Sequence, residues 1–172
     1  MKILVFSDTH GRAYKLQNII DMHKDASAIL HLGDGYADLD HKETYGIPVY
    51  KVKGNGEEWS VYATDGVPFE RTLDIGGKRI FMTHGHKFAV AYGFEFAARH
   101  AEGLGADILL YGHTHSPYEN FVHAGDDLGG TKAVKDLYIF NPGSLGEPRF
   151  STPSYGLVTI KDGNILTSRG EA

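Results

Sequence analysis

Five short runs of mainly apolar residues in this chain each break off into a polar cluster, and that repeated pairing restricts the fold. Residues 3–6 lead into Ser7-Asp8-Thr9-His10-Gly11, and residues 28–32 into Gly33-Asp34-Gly35. Residues 49–52 lead into Lys53-Gly54-Asn55-Gly56-Glu57 and residues 79–82 into Thr83-His84-Gly85-His86. Residues 108–111 lead into Gly112-His113-Thr114-His115. Runs this short, bounded by turn residues, read as buried β-strands. Residues 12–24 place Leu16, Ile19, Ile20 and His23 at helical spacing, and residues 91–104 place Phe94, Ala97, Ala98 and Ala101 on one face. Strands alternating with helices predict an α/β domain, whose sites form outside the carboxyl ends of the strands.

Turns favour Asp, Asn and Gly, but they do not favour His. Three of the five ends carry His, so convergence on one point explains the pattern better than five unrelated turns. Asp8 and His10 are two apart, which on an extended backbone turns both side chains to one side. The candidate ligands are Asp8, His10, Asp34, Asn55, His84, His113 and His115. Carboxylate and amide oxygens mixed with imidazoles suit Mn, Ni, Fe, Co or Zn rather than an all-oxygen calcium cage. Seven donors exceed what one open catalytic ion takes. With one bridging carboxylate they suit two divalent ions about 3.5–4 Å apart. Two carboxylates and a bridging hydroxide leave such a centre positive, so it attracts an anion. Metal ions also bring the pKa of bound water to about 7. The expected reaction is hydrolysis of a phosphate ester, with a metal-bridging hydroxide attacking phosphorus in line.

Net charge is -5, and the 17 Lys and Arg residues form no run. An extended nucleic-acid duplex needs a basic face and is not an expected partner. A small phosphate ester is. The sequence has no Cys, which excludes a disulfide framework and thiolate metal ligands. The first apolar run is too short for a signal-peptide core, and no stretch reaches membrane-spanning length. One domain over residues 1–172, located in the cytoplasm, is expected, with homo-oligomerisation left open. Residues 71–75 and 78–82 form a hairpin around Gly76-Gly77, residues 137–140 a strand, and residues 155–161 and 164–168 a hairpin around Asp162-Gly163. Residues 125–136 read as a loop or hairpin tip in which Asp126 and Asp127 offer carboxylates. Trp59, Tyr62 and Phe69 are expected to pack on the core, His31 to be a hydrogen-bonded core residue, His23 a boundary residue, and His100 and His123 surface residues without partners.

The same residues resemble the calcineurin-like metallophosphoesterase superfamily, whose pattern is D-x-H, G-D, G-N-H-[DE], a single His and G-H-x-H. Here it reads Asp8-Thr9-His10, Gly33-Asp34, Gly54-Asn55-Gly56-Glu57, His84 and Gly112-His113-Thr114-His115. The length, the Thr83 to His86 stretch and the ending Asn141-Pro142-Gly143-Ser144…Pro148-Arg149 are similar to the small bacterial and archaeal phosphodiesterase branch. The resemblance implies a four-layer α/β/β/α sandwich of two packed β-sheets flanked by helices. It implies a first ion on Asp8, His10, Asp34 and His115 and a second on Asp34, Asn55, His84 and His113, with Asp34 bridging and Asn55 also catalytic. One position departs: where the family has a His that serves as a general acid, this chain has Gly56. That directs the expectation toward diesters with acidic leaving groups. His86 is the candidate substitute acid, and Arg149 a candidate contact for the substrate phosphate. Two alternatives stand beside this one. The first is a protein-interaction module of the kind seen in the retromer scaffold subunit, and the second a phosphomonoesterase or pyrophosphatase on the same site. The complete ligand set favours the enzyme.

Overall fold

Alternation along the strands sorts the apolar residues into three packed clusters, and these set the layers. In β1 (Lys2–Phe6), Ile3 and Val5 face one cluster while Leu4 and Phe6 face another, as a side-chain period of two requires. The computed structural model describes residues 1–61 and 63–172. β1 is the middle strand of a sheet in the order β10-β9-β1-β2-β3, completed by β2 (Ala28–His31), β3 (Val49–Lys51), β9 (Ser154–Lys161) and β10 (Asn164–Glu171). The second sheet has the order β4-β5-β6-β8-β7, from β4 (Glu70–Ile75), β5 (Lys78–Thr83), β6 (Ile108–Leu110), β7 (Tyr118–Val122) and β8 (Leu137–Asn141).

Ile3, Val5, Leu30 and Val52 of the first sheet pack against Ile80, Met82, Ile108 and Leu110 of the second. On the outer face of the first sheet, Leu16, Ile19 and Ile20 of α1 (Ala13–Met22) cover Leu4, Phe6 and Ile29. On the outer face of the second, Ala97, Ala98 and Ala101 of α3 (Glu95–Gly103) cover Phe81, Leu109 and Ile139. The result is the α/β/β/α sandwich. β1, β2 and β3 run parallel, as do β5, β6 and β8, and the register pairs Phe6 with His31 and Met82 with Leu110. Parallel strands in matched register bring their carboxyl ends level, so the polar clusters emerge along one edge of the sandwich.

Several expectations need correction. α3 starts at Glu95 rather than residue 91, because Ala89 (φ 53°) and Gly93 (φ 152°) hold the preceding backbone out of the helical region. β7 was not expected: its exposed and half-buried side chains, Tyr118 to Phe121, give no apolar alternation. Trp59 does not pack on the core. It is 87% exposed on the loop that follows α2 (Asn55–Glu58). Phe69 is half-buried beside His86 and Lys87. Tyr62 lies outside the described residues. His100 has a partner, Glu70 at 3.1 Å, and its ring packs on Phe81 and Phe88. Asp126 and Asp127 accept the backbone N–H groups of His123 and Gly130, so they cap their own turn rather than face a cation. His31 is fully buried and accepts the Gly33 N–H at 3.1 Å. Among the described residues no helix is long and apolar enough to cross a membrane.

Candidate metal centre

All seven candidate ligands lie along that edge, and a left-handed backbone turns most of them inward. Asp8, His10, Asp34, His113 and His115 have φ between 42° and 68°, a region that side-chain-bearing residues occupy at a cost of roughly 1 kcal/mol or more each. β1 ends at Phe6, so Asp8 and His10 share a side because the turn coils, not because of strand alternation. Tight hydrogen bonds hold these turns. The Asp8 N–H donates to Gly33 O at 3.0 Å, the Gly112 N–H to His84 O at 3.1 Å and the Gly146 N–H to Asp8 O at 3.0 Å.

The donors form two overlapping clusters. Asp8, His10 and His115 make one, and Asp8, Asp34 and His84 the other, with the ligand atoms of each cluster within 4.8 Å of one another. Asn55 Oδ1 and His113 Nδ1 join the second, 3.1 Å and 3.3 Å from His84 Nε2. Asp8 is common to both clusters, and Asp34 Oδ2 lies 3.5 Å from His84 Nε2. Each carboxylate has one oxygen anchored and one turned to the cluster. Asp8 Oδ2 accepts the Ser7 hydroxyl at 2.5 Å and the His113 N–H at 3.1 Å, while Asp34 Oδ1 accepts the Gly56 N–H at 2.7 Å. Asp8 Oδ1 is buried with His115 Nε2 at 3.1 Å, and among the described residues neither it nor the buried His10 Nε2 receives a hydrogen bond of good geometry.

The imidazoles are oriented from behind. His84 Nδ1 lies 2.8 Å from Leu32 O, and His115 Nδ1 lies 2.6 Å from Glu147 O. A carbonyl only accepts, so Nδ1 carries the proton and the neutral ring turns a bare Nε2 inward, the arrangement metal-ligating histidines use. Bare nitrogens, an amide oxygen and two carboxylates then face one another, and among the described residues no Lys or Arg pairs with Asp8 or Asp34. Buried acceptors of this kind require a cation. The donor set therefore fits divalent metal.

Burial raises the Asp8 pKa, but His115, His84 and Ser7 outweigh it and hold the carboxyl below its usual range. Asp8 in turn raises the pKa of His115, which lies 3.1 Å away. Burial, helped by His84, lowers that of His113. His86 stands apart from the ligands. Its Nε2 is 3.3 Å from Glu58 Oε2, its ring packs on those of His84 and Phe69, and burial together with His84 pushes its pKa down to about 4. Arg149 is exposed and lines a cavity of about 380 Å³ together with His10, Asp34, Asn55, His113 and His115.

Supporting residues escaped the sequence reading. Glu57 is buried, and its carboxylate accepts three backbone N–H groups, those of Asp34 (2.9 Å), Gly35 (2.6 Å) and Gly54 (2.8 Å). It fastens the Asn55 turn to the Asp34 turn. Gly54 permits that approach, because a Cβ there would sit 2.1 Å from Asp34 Oδ1. Asn141 Nδ2 donates to Gly112 O and to Thr114 Oγ1, both at 3.0 Å, and Ser144 Oγ donates to Asp8 O at 2.8 Å. The Glu at the end of the Gly-Asn pattern was the available signal for the first. Asn141 and Ser144 stand in the family-like Asn141-Pro142-Gly143-Ser144 stretch, which attached no role to either residue.

Residues 1–163 match the family described as the Calcineurin-like phosphoesterase superfamily domain. The chain is 30% identical over 166 residues to "Probable metallophosphoesterase YsnB" of Bacillus subtilis (strain 168), covering 94% of this chain and 86% of that protein. It is 26% identical over 193 residues to "Phosphodiesterase YfcE" of Escherichia coli (strain K12), covering 97% and 90%. A crystal structure of a predicted phosphoesterase from Streptococcus pneumoniae TIGR4 superposes with a TM-score of 0.74 at 27% identity, over 98% of this chain and 87% of that one.

Proposed function

The chain belongs to the calcineurin-like phosphoesterase superfamily, and from that premise we propose that it is a phosphodiesterase holding two divalent ions, one domain over residues 1–172. The observation that carries the proposal is the convergence of Asp8, His10, Asp34, Asn55, His84, His113 and His115 on one place, with Asp8, Asp34, His84 and His115 buried there. Following the resemblance, we assign one ion to Asp8, His10, Asp34 and His115 and the other to Asp34, Asn55, His84 and His113, although Asp8 is the carboxylate that both donor clusters share; manganese comes first, with Ni, Fe, Co or Zn accepted by the same donors. When bound, the ions supply Lewis acidity: they lower the pKa of water and offset the charge of the phosphate. The chain's own residues do the rest. Ser7 and the His113 N–H fix the Asp8 carboxylate, Glu57 fixes the turns carrying Asp34 and Asn55, and Arg149 at the cavity wall is proposed to hold a phosphate oxygen.

Gly56 supports the choice of a diester. A Cβ at this position would stand 3.1 Å from Asp34 Oδ1, so a side chain there reaches over the donors, and Gly leaves no imidazole in that place. His86 does not take over the acid role in this proposal. With its pKa near 4 it is neutral at pH 7 and directed at Glu58, so it supports the back of His84. Substrates are then small esters whose leaving group departs without a donated proton. A cytoplasmic setting is part of the proposal, in line with the Cys-free composition. With Mn²⁺ added, bis-(p-nitrophenyl) phosphate is expected to be hydrolysed with higher kcat/KM than p-nitrophenyl phosphate, and Gly56→His to raise kcat/KM for a monoester with a basic alkoxide leaving group, such as glycerol 2-phosphate, by about 10²-fold while leaving the p-nitrophenyl esters nearly unchanged. A monoester preference in the unaltered protein counts against the diester reading.

A further inference from the structure

A second cavity, of about 340 Å³, adjoins the metal cavity, and Thr114 walls both. Thr114 lies between the candidate ligands His113 and His115. A second seam runs through neighbouring residues, with Ala91 on the metal cavity and Val90 on the other. Their chemistry differs. The metal cavity presents carboxylate, imidazole and guanidinium groups, whereas the second is walled by Val90, Phe94, Tyr111 and Tyr118, with Glu95 contributing its carboxylate. The rings of Phe94 and Tyr118 lie 5.7 Å apart at 32°, and Tyr118 is left 41% exposed. Partly exposed aromatic walls gain from being covered by an apolar group. A dry cavity of ~150 Å³ already accepts benzene, so this one has room for an aromatic ring.

We propose that this cavity holds an aromatic substituent of the phosphodiester whose phosphate sits at the metal centre, with Phe94 and Tyr118 setting the specificity. The proposal rests on the diesterase reading above. Hydrolysis forms one P–O bond to the oxygen of water and breaks the P–O ester bond to the leaving group, which departs as its oxyanion while the proton lost by that water passes to solvent. The second substituent stays on phosphorus, and it is this retained group that the cavity takes. A ring reaching across Thr114 keeps its phosphate among the ligands, which an alkyl substituent too small to touch Phe94 or Tyr118 does not.

The test uses the full chain loaded with Mn²⁺, as the unaltered protein, Tyr118→Ala and Phe94→Ala. Phenylphosphonate and methylphosphonate are titrated calorimetrically. In parallel, kcat/KM is measured for phenyl p-nitrophenyl phosphate and methyl p-nitrophenyl phosphate, each releasing p-nitrophenolate. The phenyl compounds are expected to lead by about ten-fold in both measurements, and each substitution to cut that lead to about three-fold or less. No phenyl lead in the unaltered protein, or a lead that survives both substitutions, overturns the proposal. If neither ester turns over with metal present, the diesterase reading falls, and the phosphonate titration still decides whether the cavity takes the ring.

Discussion

At the amino-terminal end of the parallel strands the chain reverses through Gly76, Gly77, Gly105 and Gly163, with φ between 60° and 77°. At the carboxyl end the same region of backbone space is occupied by Asp8, His10, Asp34, His113 and His115. Glycine enters that region without steric cost, so the first end is relaxed. Asp162 (φ 51°) is the one side chain in its closing turn, where an Asp-Gly pair is tolerated. The second end carries roughly 1 kcal/mol or more per residue, and it also buries carboxylates among unprotonated nitrogens. One end closes the fold. The other spends stability to aim seven side chains at one place, and it relies on Glu57, Asn141 and Ser144 to keep them there.

The comparison breaks most sharply at Asp34. Asp34→Ala is expected to lower metal-dependent diester hydrolysis by on the order of 10³-fold or more, with the far-ultraviolet circular dichroism unchanged. Activity that survives would mean that the carboxyl end holds no two-ion site. Glu57→Gln probes the support instead of the ligand. Gln presents one acceptor oxygen to three N–H groups, so metal affinity is expected to fall about 10–100-fold and stability by about 2 kcal/mol. Both are read by metal titration and urea unfolding, and normal affinity in the variant would remove Glu57 from the account. Gly163→Ala is the smallest change and belongs to the other end. A Cβ at Gly163 meets nothing within 4 Å while φ is 76°, so only backbone strain is added. A loss of about 1 kcal/mol with unchanged kcat/KM is expected. A matching fall in activity would show that the two ends are not independent.

The chain announces its ligands because their chemistry is unusual in turns: His at strand ends is not what a reversal needs. The layers are also readable, since Ile3 and Val5 alternate with Leu4 and Phe6. What stays hidden is decided by tertiary hydrogen bonds. The left-handed turns at Asp8 and His10 depend on Gly33 O and on the strap from Ser144 to Gly146, which lies more than 130 residues away along the chain. Glu57 looks like a surface carboxylate until three N–H groups close around it. β7 is an edge strand with polar and half-exposed side chains, so its pairing with β8 leaves no periodic trace. Trp59 misleads in the opposite direction, because a large aromatic ring reads as core and here faces solvent.

The provenance of the seven side chains has a further consequence. Asp8, His10, Asp34 and Asn55 follow strands of the first sheet, and His84, His113 and His115 follow strands of the second. A divalent ion that draws on both sets is a rivet through two stacked plates, and it tolerates little slip between them. Shaving the apolar filling that separates the plates, at Val5 or Met82, would then register as weakened cation capture while each plate still kept its own hydrogen-bonded ladder.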